Sequence, residues 1–312
     1  MDFADGDAIV PVSGAVYNYG KNINDECLVK LGASLTNTKP KIMSWFDVYD
    51  NAQNILTEKE KRGTGYKPPY IRDAWMPVSE VMTARETENS EKGLFVAAKA
   101  GHNGESHNHN DIGNFIVYMD GRPVIIDLGT EEYTAKTFSP DRFDLWYLQS
   151  QFHNCPTING FMQRDGKEYR AQGVKYTKTA GCSGMEADIS GAYQPEAGIV
   201  YWRRLVGLNR DGGAFVEVVD EYQLKNNPAE VKYHFMLAVE PSISGEGEIT
   251  LRCGDDGTLL FIYDFNNLKA EIEKIEITES RLLANWGNII YRITFIEKTP
   301  ASKGKRVFRI AK

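Results

Sequence analysis

From Trp75 to the C-terminus the chain is written in short runs of β-branched and aromatic residues, broken by turn residues. The runs are VSEVMTAR, GLFVAAKAG, FIVYMDGRPVIIDLG, GIVYWRRLVGLNRDGGAFVEVVDEYQL, EVKYHFMLAV, ITLRCGDDGTLLFIYDF, KAEIEKIEI, NIIYRITFIEK and RVFRIAK. Asp120-Gly121, Asp211-Gly212-Gly213 and Gly254-Asp255-Asp256-Gly257 punctuate them as hairpin turns do. No helical period intervenes, so the pattern predicts antiparallel sheets packed as a sandwich rather than βαβ units. Some runs are apolar on both faces, as expected of large sheets with a covered inner layer.

Residues 1–72 read differently. NDECLVKLGASL places Cys27, Leu28, Leu31 and Leu35 on one helical face behind an Asn24 or Asp25 cap. KIMSWFDVYDNAQNIL, Lys41 to Leu56 after Pro40, also reads as helix. Two short helices cannot bury their own faces, so this segment must lean on something else and can expose apolar surface. EKEKRGTGYKPPY is charged and rich in Gly and Pro, the signature of a linker. The expected organisation is a helical segment over 1–72 and a mainly β, antiparallel multi-stranded sandwich over 73–312.

At 312 residues the chain has ample volume for a core. Its 36 basic and 43 acidic side chains, without a basic stripe, argue against a nucleic-acid partner. No run approaches the roughly 18 apolar residues that span a bilayer, so no membrane span is expected. MDFADGDAIV has no basic and apolar leader pattern, which suits a cytoplasmic protein or a piece of a longer, exported one. Cys27, Cys155, Cys182 and Cys253 are widely spaced without a CxxC pair and read as free or buried thiols.

Chemistry concentrates in GHNGESHNHNDIGN, residues 101–114. Three of the five histidines, His102, His107 and His109, lie there among Asn, Glu and Asp side chains. Asp127 ends the apolar run RPVIID, where a carboxylate needs a partner. His153 follows in SQFHNCPTING. Imidazoles with a carboxylate suit a borderline divalent ion, zinc first, although another divalent ion is compatible. Hairpin register constrains the arrangement. With Asp120-Gly121 as a two-residue turn, Met119 faces Arg122 and Asn114 faces Asp127. An extended strand would then put His109 about 16 Å from that pairing. A shared ion therefore requires His107 to Asp111 to be a loop that curls back, with Gly113 as the bend. His107 then leaves the ion and is free for proton transfer near neutral pH. Glu105 is a candidate to orient His107 or meet a substrate. Arg122, Arg142 and Arg170 are cations that can meet a carboxylate. His102 and His234 read as hydrogen-bonded structural histidines, and Trp146, Tyr147 and Trp202 as core residues.

Two families share these residues. Gly101, five residues, His107, one residue, His109 resembles the opening of the cupin metal motif, but the Glu and the PxG half that should follow are missing. GESHNHNDIGNFIVYMDGRPVIIDLG and YLQSQFHNCPTINGFMQ resemble two blocks of the heparinase II/III-like polysaccharide lyases. Ser150, His153, Asn154, Thr157, Gly160 and Gln163 stand at or near the second block's positions, and FADGDAI is similar to the end of that family's helical toroid. The resemblance implies zinc on His109, Asp127 and His153, with His107 facing substrate. It places Tyr133 near the cleft, and with it Glu105 and Arg142 become candidate substrate contacts. It implies β-elimination on uronic-acid-containing glycans such as glycosaminoglycans or alginate, in a periplasmic or secreted parent. Residues 1–72 are then the tail of an α/α toroid, whose remainder supplies further catalytic groups, and the 312 residues alone should be weakly active or inactive. The acidic polysaccharide and that toroid are the expected partners. The competing readings are a non-catalytic carbohydrate-binding or structural sandwich stabilised by metal, and a cupin-like metal enzyme.

Overall fold

The computed structural model describes residues 3–6, 13–35, 45–62, 64–254 and 257–312. The start of the helix expected from Lys41, the Asp255-Asp256 turn and the end of FADGDAI lie outside them. The chain divides into two compact units, one of Met1–Ala8, Arg72–Thr87 and Glu91–Lys312, the other of Ile9–Ile71 and Glu88–Ser90.

The smaller unit contains the helices Ser13–Ile23, Glu26–Ser34 and Trp45–Lys61. Asp25 caps the second by accepting from Leu28 N at 3.0 Å. Ile55 and Leu56 are about three-quarters exposed, at 74% and 73%. Among the described residues no helix is long and apolar enough to cross a membrane.

The larger unit is an antiparallel sandwich. One sheet runs through Asp73–Met76, Val81–Arg85, Leu94–Lys99, Phe115–Met119, Arg122–Ile125, Val231–Leu237, Ile289–Glu297 and Leu268–Glu276, with Pro156–Ile158 paired to Val231–Leu237. The other runs through Pro241–Gly245, Glu248–Arg252, Thr258–Ile262, Lys303–Ala311, Phe215–Leu224, Ile199–Asn209, Cys182–Asp188 and Gln172–Lys178. Phe235 and Phe295 of the first sheet interleave with Phe261 and Phe308 of the second, at ring separations of 4.9–5.6 Å for Phe235. These rings and their neighbours form the core between the sheets.

Some elements escape the sequence pattern. Gly166–Arg170 and Gln172–Lys178 are strands with mostly exposed side chains, so no apolar alternation marks them. Ser280–Trp286 is a helix inside the β region, capped by Glu279, which accepts from Arg281 N and Leu282 N. Seven residues are too few for helical periodicity to register. Its Leu282 and Trp286 close a second apolar cluster with Ile126, Leu128, Tyr147 and Met236.

His234 lies in Val231–Leu237, with Nε2 3.1 Å from Thr157 Oγ1 and Nδ1 3.2 Å from Thr294 Oγ1. Burial, aided by the charges of Arg292 and Lys232, pushes its pKa down to about 3. An unfolded histidine titrates near 6.5. Stability from neutral His234 is therefore fully present above about pH 6.5 and lost as pH falls from there toward 3. At pH 5 the loss is about 2 kcal/mol. His234→Gln should flatten the pH 7-to-5 decline in urea-unfolding stability by that amount. An unchanged decline would show that the ring is not held neutral.

Candidate functional site

The Asp120-Gly121 turn has φ of +51° and +77°, the two positive values a type I′ hairpin needs. Met119 faces Arg122 as expected. Beyond Tyr118–Pro123 a bulge shifts the register, so Val117 faces Ile125. The expected pairing of Asn114 with Asp127 is thereby displaced, because one extra residue is taken up before Ile125.

His107 to Asp111 form a loop, not a strand. The bend is at Gly113, with φ +82°, where a side chain would strain the backbone and crowd Ile189. Gln163 clamps the loop from below. Its Oε1 accepts from Ile112 N at 2.9 Å and its Nε2 donates to Ile112 O at 2.8 Å. Asn110 N donates to Leu148 O, and Asn108 Nδ2 to Asn103 O. Other residues of the second motif block have equally physical roles. Ser150 Oγ accepts from Gln163 N, and Asn154 Nδ2 donates to Asn114 Oδ1, Phe115 O and Ile126 O while its Oδ1 accepts from Met236 N.

This folding brings His109, Asp127 and His153 together, each fully buried, with one donor atom of each within 4.8 Å of the others. His153 Nδ1 is 2.7 Å from Asp127 Oδ1, and Asp127 Oδ2 accepts from Ala4 N at 2.8 Å. His109 Nδ1 and His153 Nε2 are buried with no hydrogen-bond partner among the described residues. Burial lowers the pKa of His109, which favours the neutral ring and a free lone pair. Burial opposes charge on His153 and Asp127 too, but their mutual attraction and hydrogen bond win, raising the former and lowering the latter. Two imidazoles, a carboxylate and unpartnered buried nitrogens fit a divalent cation.

His107 lies apart from this triad, in left-handed backbone at φ +60°, with its side chain 67% exposed. The carboxylate at its ring is Asp5, which sequence reasoning missed although FADGDAI contains it. Asp5 Oδ2 is 3.0 Å from His107 Nδ1, and Tyr133 Oη is 2.8 Å from the same nitrogen while donating to Asp5. Asp5 Oδ1 is 2.7 Å from His109 Nε2, and Arg142 Nη2 lies 3.3 Å from Oδ2. Burial would raise the Asp5 pKa, but the hydrogen bonds from His109 and Tyr133 hold it well below the usual carboxylate range. Burial and the bond to Asp5 push the Tyr133 hydroxyl up to about 12, so Tyr133 is a proton donor at neutral pH.

Asp5, His107 and Tyr133 line a cavity of about 510 Å³ with Lys99, Glu105 and Arg281, whereas Arg142 reaches Asp5 from outside that lining. Lys99, at the end of its strand, is 4% exposed and holds Asp111 at 2.7 Å, with Glu105 3.9 Å away. Lys99 and Arg281 were also missed, because a lysine after an apolar run and an arginine in a short helix carry no motif. His102 Nδ1 accepts from Gly104 N, Tyr147 and Trp202 are core residues, and the four cysteines are free.

The sequence profile described as heparinase II/III-like, C-terminal, matches residues 72–293, more than half of the chain. No curated protein sequence matches. Among solved structures, heparan sulfate lyase HepC from Pedobacter heparinus superposes with a TM-score of 0.70 at 14% identity, over 99% of this chain and 43% of that one. A heparinase III gives 0.61 at 14%, over 96% and 52%. Streptomyces coelicolor A3 chondroitin AC lyase, in complex with chondroitin sulphate, gives 0.55 at 10%, over 96% and 40%. The chain thus spans about half or less of the length of these structures, and at such identities the likeness is one of fold.

Proposed function

The chain belongs to the heparinase II/III-like, C-terminal family, and from that premise we propose that it is the metal-braced sandwich of a polysaccharide lyase acting on uronic-acid-containing glycans. The supporting observation is one juxtaposition. A buried His109–Asp127–His153 triad stands beside a cavity lined by His107, Tyr133, Lys99 and Arg281, with Asp5 touching both. His109, Asp127 and His153 would hold the ion, zinc by donor type, whose charge ties the curled loop to the strand end at Asp127 and the turn at His153.

The chain's own groups then serve β-elimination. His107 Nδ1 is engaged by Asp5 and Tyr133, which leaves Nε2 to take the C5 proton of the uronate. The C5–H electron pair forms the C4–C5 double bond, the C4–O bond breaks, and the leaving oxygen takes up the proton received by His107 Nε2. Arg281, on the cavity wall, supplies positive charge against the carboxylate as negative charge builds on it, while Lys99 is held by Asp111. Arg142 and Tyr133 hold the base side of the cleft, and Glu105 sits at Lys99. We assign the remaining substrate contacts to a helical toroid domain and place the parent protein in the periplasm or outside the cell.

A non-catalytic, metal-stabilised carbohydrate-binding sandwich is the second reading, favoured by the complete burial of the triad. Metal analysis comes first: about one divalent ion per chain is expected, and Asp127→Asn should remove it. A metal-free wild-type protein would sink both readings. Incubation with heparan sulfate, chondroitin sulfate or alginate then separates them, alone and with the toroid joined. The lyase gives an unsaturated uronyl product with ultraviolet absorbance. Binding without that absorbance, in the joined protein, leaves the second reading.

A further inference from the structure

Asp5 gathers more donors than an anchoring carboxylate requires. Nε2 of His109, Nδ1 of His107, Oη of Tyr133 and Nη2 of Arg142 all reach its two oxygens, within 3.4 Å. Its segment is fixed on both sides, with Ala4 N on Asp127 Oδ2 and Arg281 Nη2 on Asp5 O at 3.0 Å. Phe3 packs on Phe95, Ala97 and Ile116 of the adjacent sheet.

We propose that Asp5 is a positioning residue that sets the tautomers of two imidazoles at once, His109 with its proton on Nε2 and His107 with its proton on Nδ1. The reasoning is donor accounting. An ionised carboxylate only accepts, so a neutral imidazole nitrogen facing it must carry the ring's one proton. At His109 that nitrogen is Nε2, which leaves Nδ1 unprotonated, and Nδ1 is the buried atom without a partner. At His107, Nδ1 meets Asp5 Oδ2 and Tyr133 Oη. The tyrosine has given its only proton to Asp5, so it too is an acceptor there. Both neighbours therefore demand a proton on Nδ1, and Nε2 keeps its lone pair on a side chain that is 67% exposed. One carboxylate thus prepares His109 for an ion and His107 for a proton. The proposal rests on the metal and lyase reading for its purpose, but not for its geometry.

Long-range ¹H–¹⁵N spectra of ¹⁵N-histidine-labelled protein test it, with assignments from His107→Gln and His109→Gln. In the metal-free wild type, His107 should appear as the Nδ1–H form and His109 as the Nε2–H form. An Asn at this position can accept on only one side, so Asp5→Asn should lose the fixed tautomer of at least one ring. Asp5→Ala should release both. Zinc affinity, measured by competition with a chelator, should fall about 10- to 100-fold in these variants, as removal of carboxylate partners of ligating histidines does. Wild-type rings in the opposite tautomers, or tautomers unmoved by Asp5→Asn, overturn the proposal, and the wild-type spectrum serves even if a variant fails to fold. A protein that shows these tautomers but binds no zinc leaves the role of Asp5 standing and removes the metal reading instead.

Discussion

Replacing Arg204 by methionine is expected to cost about 3–5 kcal/mol of folding stability, the range for breaking a buried ion pair. Phe215–Leu224 alternates strictly, and Asp220 falls at an inward position where Val216, Val218 and Tyr222 are also buried. Its register partner on the next strand is Arg204. The guanidinium meets both oxygens of Asp220 at 2.8 Å, and Trp202 Nε1 donates to Oδ1 at 2.7 Å. Arg204 Nη1 then crosses the sandwich to Gly113 O, at 3.2 Å, and Asn154 O. Those carbonyls belong to the bend of the histidine loop and to the neighbour of His153, so the far sheet props the site. Loss of the arginine strands a buried carboxylate and two buried carbonyls.

Urea unfolding followed by tryptophan fluorescence measures this cost. The double variant R204M/D220L separates an ion pair from a prop. If only the pair mattered, apolar replacement of both partners would restore most of the stability. Here recovery should be partial, and metal affinity should stay reduced, because the two carbonyls remain unpartnered. A single variant within 1 kcal/mol of wild type, or full recovery in the double, contradicts the assignment.

On the proposed lyase reading, His107→Ala in the toroid-joined protein is expected to reduce turnover by about 10²- to 10⁴-fold, the contribution of a positioned general base, while metal content stays at the wild-type level. The two halves of this outcome come from geometry. His107 Nδ1 faces Asp5 and Tyr133 rather than the triad, and its side chain is two-thirds exposed. Its removal should therefore leave the buried ligands in place and cost little folding stability. His153→Ala is the contrast, since it takes out a fully buried ring bonded to Asp127 and should lose metal and activity together. Turnover is read from the unsaturated product and metal content from elemental analysis. Loss of metal in His107→Ala would place that ring on the ion and end the division of roles.

The sequence by itself determined the β architecture, the Asp120-Gly121 hairpin and the need for the histidine loop to curl at Gly113. Each follows from local rules: alternation, positive-φ turn residues and the short reach of a metal–ligand bond. Hairpin register linked only His109 to Asp127, and a bulge displaced the expected pairing; His153 lies outside that hairpin, so its place beside them was not set by register. Tertiary structure alone decided the rest. Asp5 is 102 positions from His107, and Arg204 is 91 from Gly113. Neither distance leaves a periodic trace, because contacts across a sandwich depend on which strands become neighbours and not on spacing along the chain. The exposed strands at Gly166–Arg170 and Gln172–Lys178 were hidden for a related reason, since partners rather than apolar alternation define them. Local chemistry placed the histidines in a loop, and only the packing of two sheets and an N-terminal segment around that loop gave each imidazole its separate partners.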